Sequence, residues 1–138
     1  MTGDEPGAGG GSGRGSGYGL VAAFTPRGDA LYVGTPRGRL HIYNMAPCSL
    51  TRTVTLGAAS GCAVKAVVFA PKGDAFVVNS TDRTLRVYRV GDDAPLHKFQ
   101  DLVNRVQWKT VCFSNSGDFV VAGPSSSATS VWAPCLAP

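Results

Sequence analysis

Residues 64–90 read VKAVVFAPKGDAFVVNSTDRTLRVYRV, and this stretch decides the fold. An apolar segment ends at Phe69, the turn PKGD follows at 71–74, and two further apolar segments are separated by a polar one. Proline presets a negative φ and glycine tolerates a positive one, so this turn suits a tight hairpin. No stretch of the chain keeps the apolar spacing of a helix for three turns without a glycine or proline. The pattern therefore predicts three consecutive antiparallel strands.

Two other stretches repeat this unit, namely LVAAFTPRGDALYVGTPRGRLHIYNM at 20–45 and WKTVCFSNSGDFVVAGPSSSATSVWAP at 108–134. The phenylalanine before each turn recurs after 45 and then 44 residues, at Phe24, Phe69 and Phe113. Periods of about 40 to 45 residues are typical of WD repeats. A second distance agrees, because 14 residues always separate the aspartate after the turn from the aromatic residue that ends the third segment: Asp29 to Tyr43, Asp74 to Tyr88 and Asp118 to Trp132.

These repeats predict an all-β fold, a partial WD-repeat β-propeller of about three blades, each a four-stranded antiparallel sheet. The period of two at 51–56 indicates an outer strand in the first blade. The last blade is expected to be incomplete, because APCLAP follows Trp132 where a fourth strand would stand. Closed propellers need at least four blades, so blade faces are expected to stay exposed unless more protein completes the ring.

The domain organisation follows from composition and repeats. Residues 1–19 consist mainly of glycine and serine and have little to bury, which predicts a disordered tail. Three WD-like repeats are predicted over 20–134, with cores at 20–45, 64–90 and 108–134. A C-terminal stub at 135–138 is expected to follow them.

Several residues are interpreted as structural turn residues. Each predicted hairpin contains a Gly-Asp pair, in which glycine supplies the positive φ. Asp82 precedes the third strand of the second unit, where a carboxylate can accept hydrogen bonds from nearby backbone N–H groups. The predicted turn residues are Gly28, Asp29, Gly73, Asp74, Asp82, Gly117 and Asp118.

Charge and composition argue against several function classes. Thirteen Lys and Arg against nine Asp and Glu give a net charge of +4, but the basic residues are scattered singly. A nucleic-acid-binding module more often shows a basic stripe or cluster. We expect no primary nucleic-acid-binding activity, although some basic residues could add attraction to nucleosomal DNA or an acidic partner: Arg27, Lys72, Arg83, Arg86 and Arg89.

The sequence predicts no catalytic, cofactor-binding or metal site. His41 and His97 lack metal-ligand spacing to the cysteines, and no CxxC pair or GxSxG nucleophile motif occurs. No secretory signal or apolar run of about 20 residues is found, so reduced thiols in a soluble intracellular protein are expected, with neither a membrane nor a small-molecule substrate as partner. Of the four cysteines, Cys48, Cys62, Cys112 and Cys135, we interpret Cys62 and Cys112 as core thiols.

The segment LVNRVQWKTVCFSNSGDFVVAG at 102–123 strongly resembles the retinoblastoma-binding protein 5 family, whose members carry LVNR, a short gap, WK and then CFS. The second unit is also similar to this family in F-A-x-K-G and in the Asp82-Arg83 pair before its third strand. The resemblance covers about residues 20–132. The Trp-Asp signature of WD repeats is absent, because Tyr43-Asn44, Tyr88-Arg89 and Trp132-Ala133 stand in its place.

The resemblance implies a non-catalytic scaffold subunit, or a fragment of one, in a nuclear COMPASS or mixed-lineage-leukaemia type complex that methylates lysine four of histone H3. Such a complex acts in chromatin and transcription regulation, and its catalytic domain lies on another subunit. Protein subunits of the complex are the implied partners, with a possible nucleosome contact. Members also carry a docking segment after the propeller, and no counterpart is expected here.

The linker between the second and third units carries the sharpest match to the family. Its residues Asn104, Arg105, Trp108 and Lys109 are candidate partner-binding residues, because propellers bind partners through such loops. The alternative is that Asn104 and Arg105 clamp the loop while Trp108 fills the core. Two other functions stay open: a WD-repeat interaction module of an unrelated complex, and a truncated product without function.

Overall fold

The computed structural model describes residues 18–56, 62–100, 107–124 and 130–132, and they form three antiparallel sheets. The predicted all-β fold is confirmed. Within these described ranges no helix is long and apolar enough to cross a membrane. Apart from residues 18 and 19, the expected tail at 1–19 lies outside the described residues, as does the expected stub at 135–138.

The strands follow the repeat units closely. The first sheet has the order β1-β2-β3-β4 and the second β5-β6-β7-β8, while the described residues of the third form three strands in the order β9-β10-β11. Their bounds are β1 Val21–Phe24, β2 Ala30–Gly34, β3 Arg39–Met45, β4 Cys48–Thr55, β5 Val64–Phe69, β6 Ala75–Ser80, β7 Leu85–Arg89, β8 His97–Phe99, β9 Trp108–Phe113, β10 Val120–Pro124 and β11 Ser130–Trp132.

The first strands of the sheets approach one another, β1 with β5 and β5 with β9, as expected for sheets arranged side by side around an axis. The three hairpins between first and second strands have the same turn. Gly28, Gly73 and Gly117 have φ values of +77°, +79° and +84°. Each of these glycines donates its N–H to the carbonyl three residues before it, at 2.8 to 2.9 Å.

Each sheet has a front face and a back face, which we define by the second sheet. Its front face carries Phe69, Phe76 and Tyr88, which are direct cross-strand partners on β5, β6 and β7. This face packs on the back face of the first sheet, where the Tyr32 ring lies 4.9 Å from Phe69 and 5.0 Å from Phe76. Leu40, Ile42 and Val54 complete the buried cluster from the side of the first sheet.

The second sheet packs on the third in the same manner. Val77, Leu85 and Val87 form its back face, and they contact Trp108, Val120 and Ala122 on the front face of the third sheet. All six side chains are buried. Fully burying one such apolar side chain stabilises a fold by about 1.5 to 3 kcal/mol. Packing of front face on back face therefore holds the three sheets together.

One expectation about the cysteines is wrong. Cys62 is buried, as expected for a core thiol, whereas Cys112 is exposed. The reason is position, since Cys112 pairs with Val121 on the back face of the third sheet. No sheet formed by the described residues packs on that face.

A single methyl group at Gly38 is predicted to destabilise the protein through contact with Cys62, two residues before β5 of the second sheet. The backbone φ is +78° there, and an added Cβ would lie 2.8 Å from the Cys62 carbonyl oxygen. At Gly28, with φ +77°, an added Cβ would meet nothing within 4 Å. Gly28→Ala should cost about 1 kcal/mol from backbone strain alone. Gly38→Ala should cost at least about 1 kcal/mol more, from crowding.

Urea unfolding of both variants and the parent chain measures this difference. Equal losses in the free energy of unfolding for Gly28→Ala and Gly38→Ala would contradict the close approach of the two sheets at this turn.

Candidate interaction surface at one end of the sheets

Of the linker residues with the sharpest family match, Trp108 and Lys109 lie at one end of the sheets. We call this the linker end and define it by the β2–β3 turn (35–39), the β6–β7 turn (80–84) and residues 107–109. Hydrogen bonds connect these segments. The residues just before and at the start of β5 link the first two turns: Val64 N–H donates to the Thr35 carbonyl at 3.1 Å, and Thr81 N–H donates to the Ala63 carbonyl at 2.9 Å. The Gln107 Nε2 group donates to the Ser80 carbonyl at 3.3 Å. The linker end is therefore one continuous surface across the three sheets.

Asp82 organises the β6–β7 turn. Its Oδ1 accepts hydrogen bonds from Ser80 Oγ at 2.6 Å and from the Thr84 backbone N–H at 3.2 Å. Its Oδ2 accepts one from Arg86 at 2.7 Å, which also forms an ion pair. The Arg86 side chain is buried and donates a second hydrogen bond to Ser80 Oγ at 2.9 Å. The carboxylate thus fixes the corner and balances a buried positive charge.

The pKa of Asp82 reflects these contacts. Burial raises the pKa, but hydrogen bonds from Arg86, Ser80 and the Thr84 N–H, together with the Arg86 charge, outweigh burial and leave the pKa below its usual value. A carboxyl group with a lowered folded pKa stabilises the fold above the unfolded pKa, which is about 3.9. That contribution is lost as the pH falls through the lower folded value.

The sequence left two roles open for Trp108, contact with a partner and filling of the core, and its position agrees with the second. Its side chain is 1% exposed and lies in the core between the second and third sheets. The carbonyl oxygen of Trp108 accepts hydrogen bonds from Lys65 Nζ at 3.1 Å and Asn79 Nδ2 at 2.9 Å. The interpretation of Trp108 as a contact residue is therefore corrected, because a buried indole offers no surface to a partner. Lys109 is exposed, and Asn104 and Arg105 lie outside the described residues.

Exposed charges at the linker end are basic. Arg37, Arg39, Arg83 and Lys109 are all exposed there, whereas the carboxylate of Asp82 is engaged by Arg86. Arg83 stands at the tip of its turn with a φ of +66°, a backbone conformation that residues other than glycine rarely adopt. This surface can attract an acidic partner over a distance of about 10 Å in ordinary salt.

The opposite end of the sheets carries charges of both signs. Arg27 and Lys72 lie in the same turns as Asp29 and Asp74, and these turns line a cavity of about 440 Å³ between the first and second sheets. Arg52 of β4 forms an ion pair with Asp93 at 2.5 Å. Mixed signs cancel at a distance, so this end attracts charged partners less than the linker end does.

These positions change the set of basic residues that the sequence suggested for binding an acidic partner. Arg86 is buried and paired with Asp82, and Arg27 and Lys72 belong to the mixed end. Arg89 ends β7, where its carbonyl accepts from the Asp92 N–H at 3.0 Å, so it belongs to the mixed end as well. Of the five residues suggested, only Arg83 is an exposed residue of the linker end.

Sequence reasoning missed Arg37 and Arg39. A signal was present, because PRGR at 36–39 occupies the same place in the first unit as TDRT at 81–84 in the second. The first unit has no acidic residue in that turn.

The remaining predicted turn residues are structural in position. Thr25 Oγ1 donates to Asp29 at 2.6 Å across the first hairpin, and the Asp74 carbonyl accepts from the Val90 N–H at 3.0 Å. In the third hairpin, the Asp118 N–H donates to Ser116 Oγ at 3.3 Å.

Within the described residues no group of three or more His, Cys, Asp and Glu side chains could hold a metal ion. His41 Nδ1 is hydrogen-bonded to Thr53 at 2.9 Å, and the ring of His97 stacks on Phe99. These contacts give both histidines a structural environment.

Removing the charge of Asp82 is predicted to destabilise the fold in a pH-dependent manner. Asp82→Asn leaves the buried Arg86 without a carboxylate, so the free energy of unfolding at pH 7 should fall by about 2 to 3 kcal/mol. The difference from the parent should shrink as the pH falls below about 4, the pKa of an aspartate in the unfolded chain, and through the lower pKa of Asp82 in the fold. Asp92→Asn changes the same charge at an exposed turn and should alter stability by less than about 0.5 kcal/mol.

Urea unfolding between pH 3 and 7 tests this prediction. A loss that is independent of pH, or one that Asp92→Asn reproduces, would show that the ion pair does not stabilise the turn.

No protein-family model matches the sequence. The chain is 36% identical over 115 residues to the retinoblastoma-binding protein 5 homolog of Drosophila melanogaster, covering 75% of the chain and 24% of that protein. It is 34% identical over 106 residues to the Set1 complex component swd1 of Schizosaccharomyces pombe, covering 75% of the chain and 26% of that protein. The chain thus spans about a quarter of the length of these curated relatives.

A solved structure agrees with the sequence relatives. The crystal structure of the Cps50 (Swd1) β-propeller domain from Myceliophteria thermophila matches with a TM-score of 0.69 and 29% sequence identity, covering 82% of this chain and 37% of that one. The predicted partial β-propeller is thereby confirmed. By sequence and by fold, the chain belongs with the retinoblastoma-binding protein 5 and Swd1 proteins and represents a part of such a propeller.

Proposed function

We propose that this chain acts as a non-catalytic scaffold in a nuclear complex that methylates lysine four of histone H3. The observation that carries the proposal is its 34% identity to a protein named as a Set1 complex component, over 106 residues and 75% of the chain. A COMPASS component, SWD1 of Saccharomyces cerevisiae, is also 28% identical over 129 residues. The chain would contribute binding surface, and another subunit would perform the transfer of the methyl group.

The linker end supports a role in binding rather than catalysis. Its exposed charged groups are the guanidinium groups of Arg37, Arg39 and Arg83 and the ammonium group of Lys109. In its described turns, the carboxylate of Asp82 accepts hydrogen bonds from Arg86, Ser80 and Thr84. Such a surface can hold an acidic partner, and its one described carboxylate is already engaged.

The acidic partner that we propose for the linker end is the nucleosome. Nucleosomes are found in the nucleus, and their DNA presents closely spaced phosphates. Lys and Arg side chains bind these phosphates with an affinity that falls steeply as the salt concentration rises. Arg37, Arg83 and Lys109 come from three different sheets. They could therefore follow a phosphate backbone along the end of the propeller.

Charge reversal at the linker end is predicted to weaken binding to nucleosomes. The double variant Arg37→Glu/Lys109→Glu should bind nucleosome core particles at least about tenfold more weakly and with a smaller salt slope, because phosphate contacts are lost. The matched control is Arg27→Glu/Lys72→Glu, which makes the same change in net charge at the mixed end and should weaken binding by less than about threefold. Fluorescence titrations at several salt concentrations measure both effects.

Equal weakening by the two double variants would mean that only net charge matters, and the linker end would then not be the binding surface.

Membership of the methyltransferase complex is tested in cells. The tagged chain should co-purify activity on nucleosomes that is absent when lysine four of histone H3 is replaced by alanine. The variant to compare with the parent chain in this co-purification is Lys109→Glu. Deletion of residues 102–109 is less suitable, because it would remove the buried Trp108 and unfold the third sheet. A folded chain that recovers other proteins without this activity would instead identify it as an interaction module of an unrelated complex.

A further inference from the structure

The cavity of about 440 Å³ at the mixed end lies inside the contact between the first and second sheets. Its wall on the first sheet contains Ala30 and Asn44, which are cross-strand partners on the back face next to Tyr32. Its wall on the second sheet contains Asp74 and Val90, and the Val90 N–H donates to the Asp74 carbonyl at 3.0 Å. Because Ala30 carries only a methyl group, the back face recedes at this point and leaves space between the two sheets.

The inner lining of the cavity is mainly apolar. The buried Tyr32 closes the bottom, and Pro26 and Val90 line the sides. Asn44 adds a polar group: its Nδ2 donates to the Ala46 carbonyl at 3.4 Å, while its Oδ1 accepts no hydrogen bond from the described residues. Ligand pockets typically have volumes of about 300 to 1,000 Å³, an apolar lining and a few polar groups that orient the ligand. The cavity has all three properties.

Four charged side chains surround the cavity, two of each sign. Arg27 and Asp29 come from the first hairpin, and Lys72 and Asp74 come from the second. All four residues are exposed, and in the described part of the chain none of them forms an ion pair. Thr25 Oγ1 donates to one carboxylate oxygen of Asp29 at 2.6 Å, which leaves the second oxygen for an external donor. These four charges are therefore available to a ligand.

The two basic residues are not required by the turns that carry them. Arg27 and Lys72 occupy the same place in their hairpins, 45 residues apart, where the third hairpin has Ser116. The third hairpin nevertheless forms the same turn, with the Gly117 N–H donating to the Ser114 carbonyl at 2.9 Å. The acidic residue of the turn repeats in all three units, whereas the basic residue occurs only in the two that border the cavity.

We propose that this cavity binds a short segment of a partner protein in which an apolar side chain lies between an acidic and a basic residue. The apolar side chain packs on Tyr32, and the acidic residue pairs with Arg27 and Lys72. The basic residue pairs with Asp29 or Asp74, since charge-assisted hydrogen bonds are the stronger ones. The inference goes beyond the proposed function, because it assigns a peptide ligand to the end opposite the nucleosome surface.

The charges around the cavity argue against other classes of ligand. Asp29 and Asp74 repel the phosphates of a nucleic acid, whose binding depends on positive charge. A purely apolar ligand would desolvate charged groups without pairing them, which costs free energy. The described residues also contain no cluster of side chains that could hold a metal ion. A peptide with both signs of charge and one apolar side chain satisfies every group that lines the cavity.

Two-dimensional NMR titration of the full chain tests the proposal with capped tripeptides as probes. Two probes have leucine in the middle with aspartate and arginine on its two sides, in either order. The better of them should shift the amide signals of Ala30, Asn44 and Val90 and bind with a dissociation constant below about 1 mM. Peptides with alanine in place of leucine, with two arginines or with two aspartates should bind at least about fivefold more weakly, because each lacks one contact.

Variants of the chain locate the binding. Ala30→Leu fills the cavity and should abolish these shifts, whereas Ala22→Leu makes the same change on the exposed front face of that sheet and should leave the dissociation constant unchanged. Arg27→Gln/Lys72→Gln alters exposed tips without disturbing the core. It should reduce the preference over the peptide with two arginines to less than about twofold, because the partners of the acidic residue are lost.

Three results would overturn the proposal: a parent chain whose cavity signals do not shift, equal binding of all the peptides, or unchanged binding by Ala30→Leu. The spectrum of each variant also reports whether it is folded. Because nucleosome binding is measured at the other end with different variants, failure of the peptide site leaves the proposed function intact, and the reverse also holds.

Discussion

The packing of one sheet on the next is the constraint on which the rest of this structure depends. Each four-stranded sheet has apolar side chains on both faces, and no single sheet can bury both by itself. The contacts of Tyr32 with Phe69 and Phe76 fix the first sheet on the second, and Trp108 fixes the third. The hairpin turns lie at the two ends of the strands. Because both faces of the second sheet are occupied, a partner must bind at an end or at an uncovered face of a flanking sheet.

Much of this architecture could be read from the sequence, and the reason is physical. Phe69, Phe76 and Tyr88 are cross-strand partners on one face, so the residues that set the repeat distances are the ones that pack on a neighbouring sheet. The burial of Trp108 and Arg86 was harder to predict from the sequence, because it depends on contacts with residues from other strands. The sequence suggested that Arg86 is a surface charge, but the folded β6–β7 turn places the Asp82 carboxylate beside it.

The two ends of the sheets differ in charge because an antiparallel sheet sends alternate turns to opposite ends. The Gly-Asp turns repeat in all three units and bring an acid to the same end each time. The turns at the linker end have no such repeated acid, and arginine stands in both the first and the second unit. A binding surface can therefore arise in a repeat protein from residues that the repeat leaves unspecified. Similarity between units predicts the fold, and the differences between them point to the interaction surface.

The position of the second sheet between two others has a consequence for how the molecule opens. All six side chains of β6 are buried, and neighbours cover both faces of its sheet. Amide protons there can exchange with solvent only after a flanking sheet has detached, whereas either flanking sheet can detach alone. Unfolding then proceeds inward from the flanks as in a one-dimensional array, and the middle unit sets the slowest exchange rates of the chain.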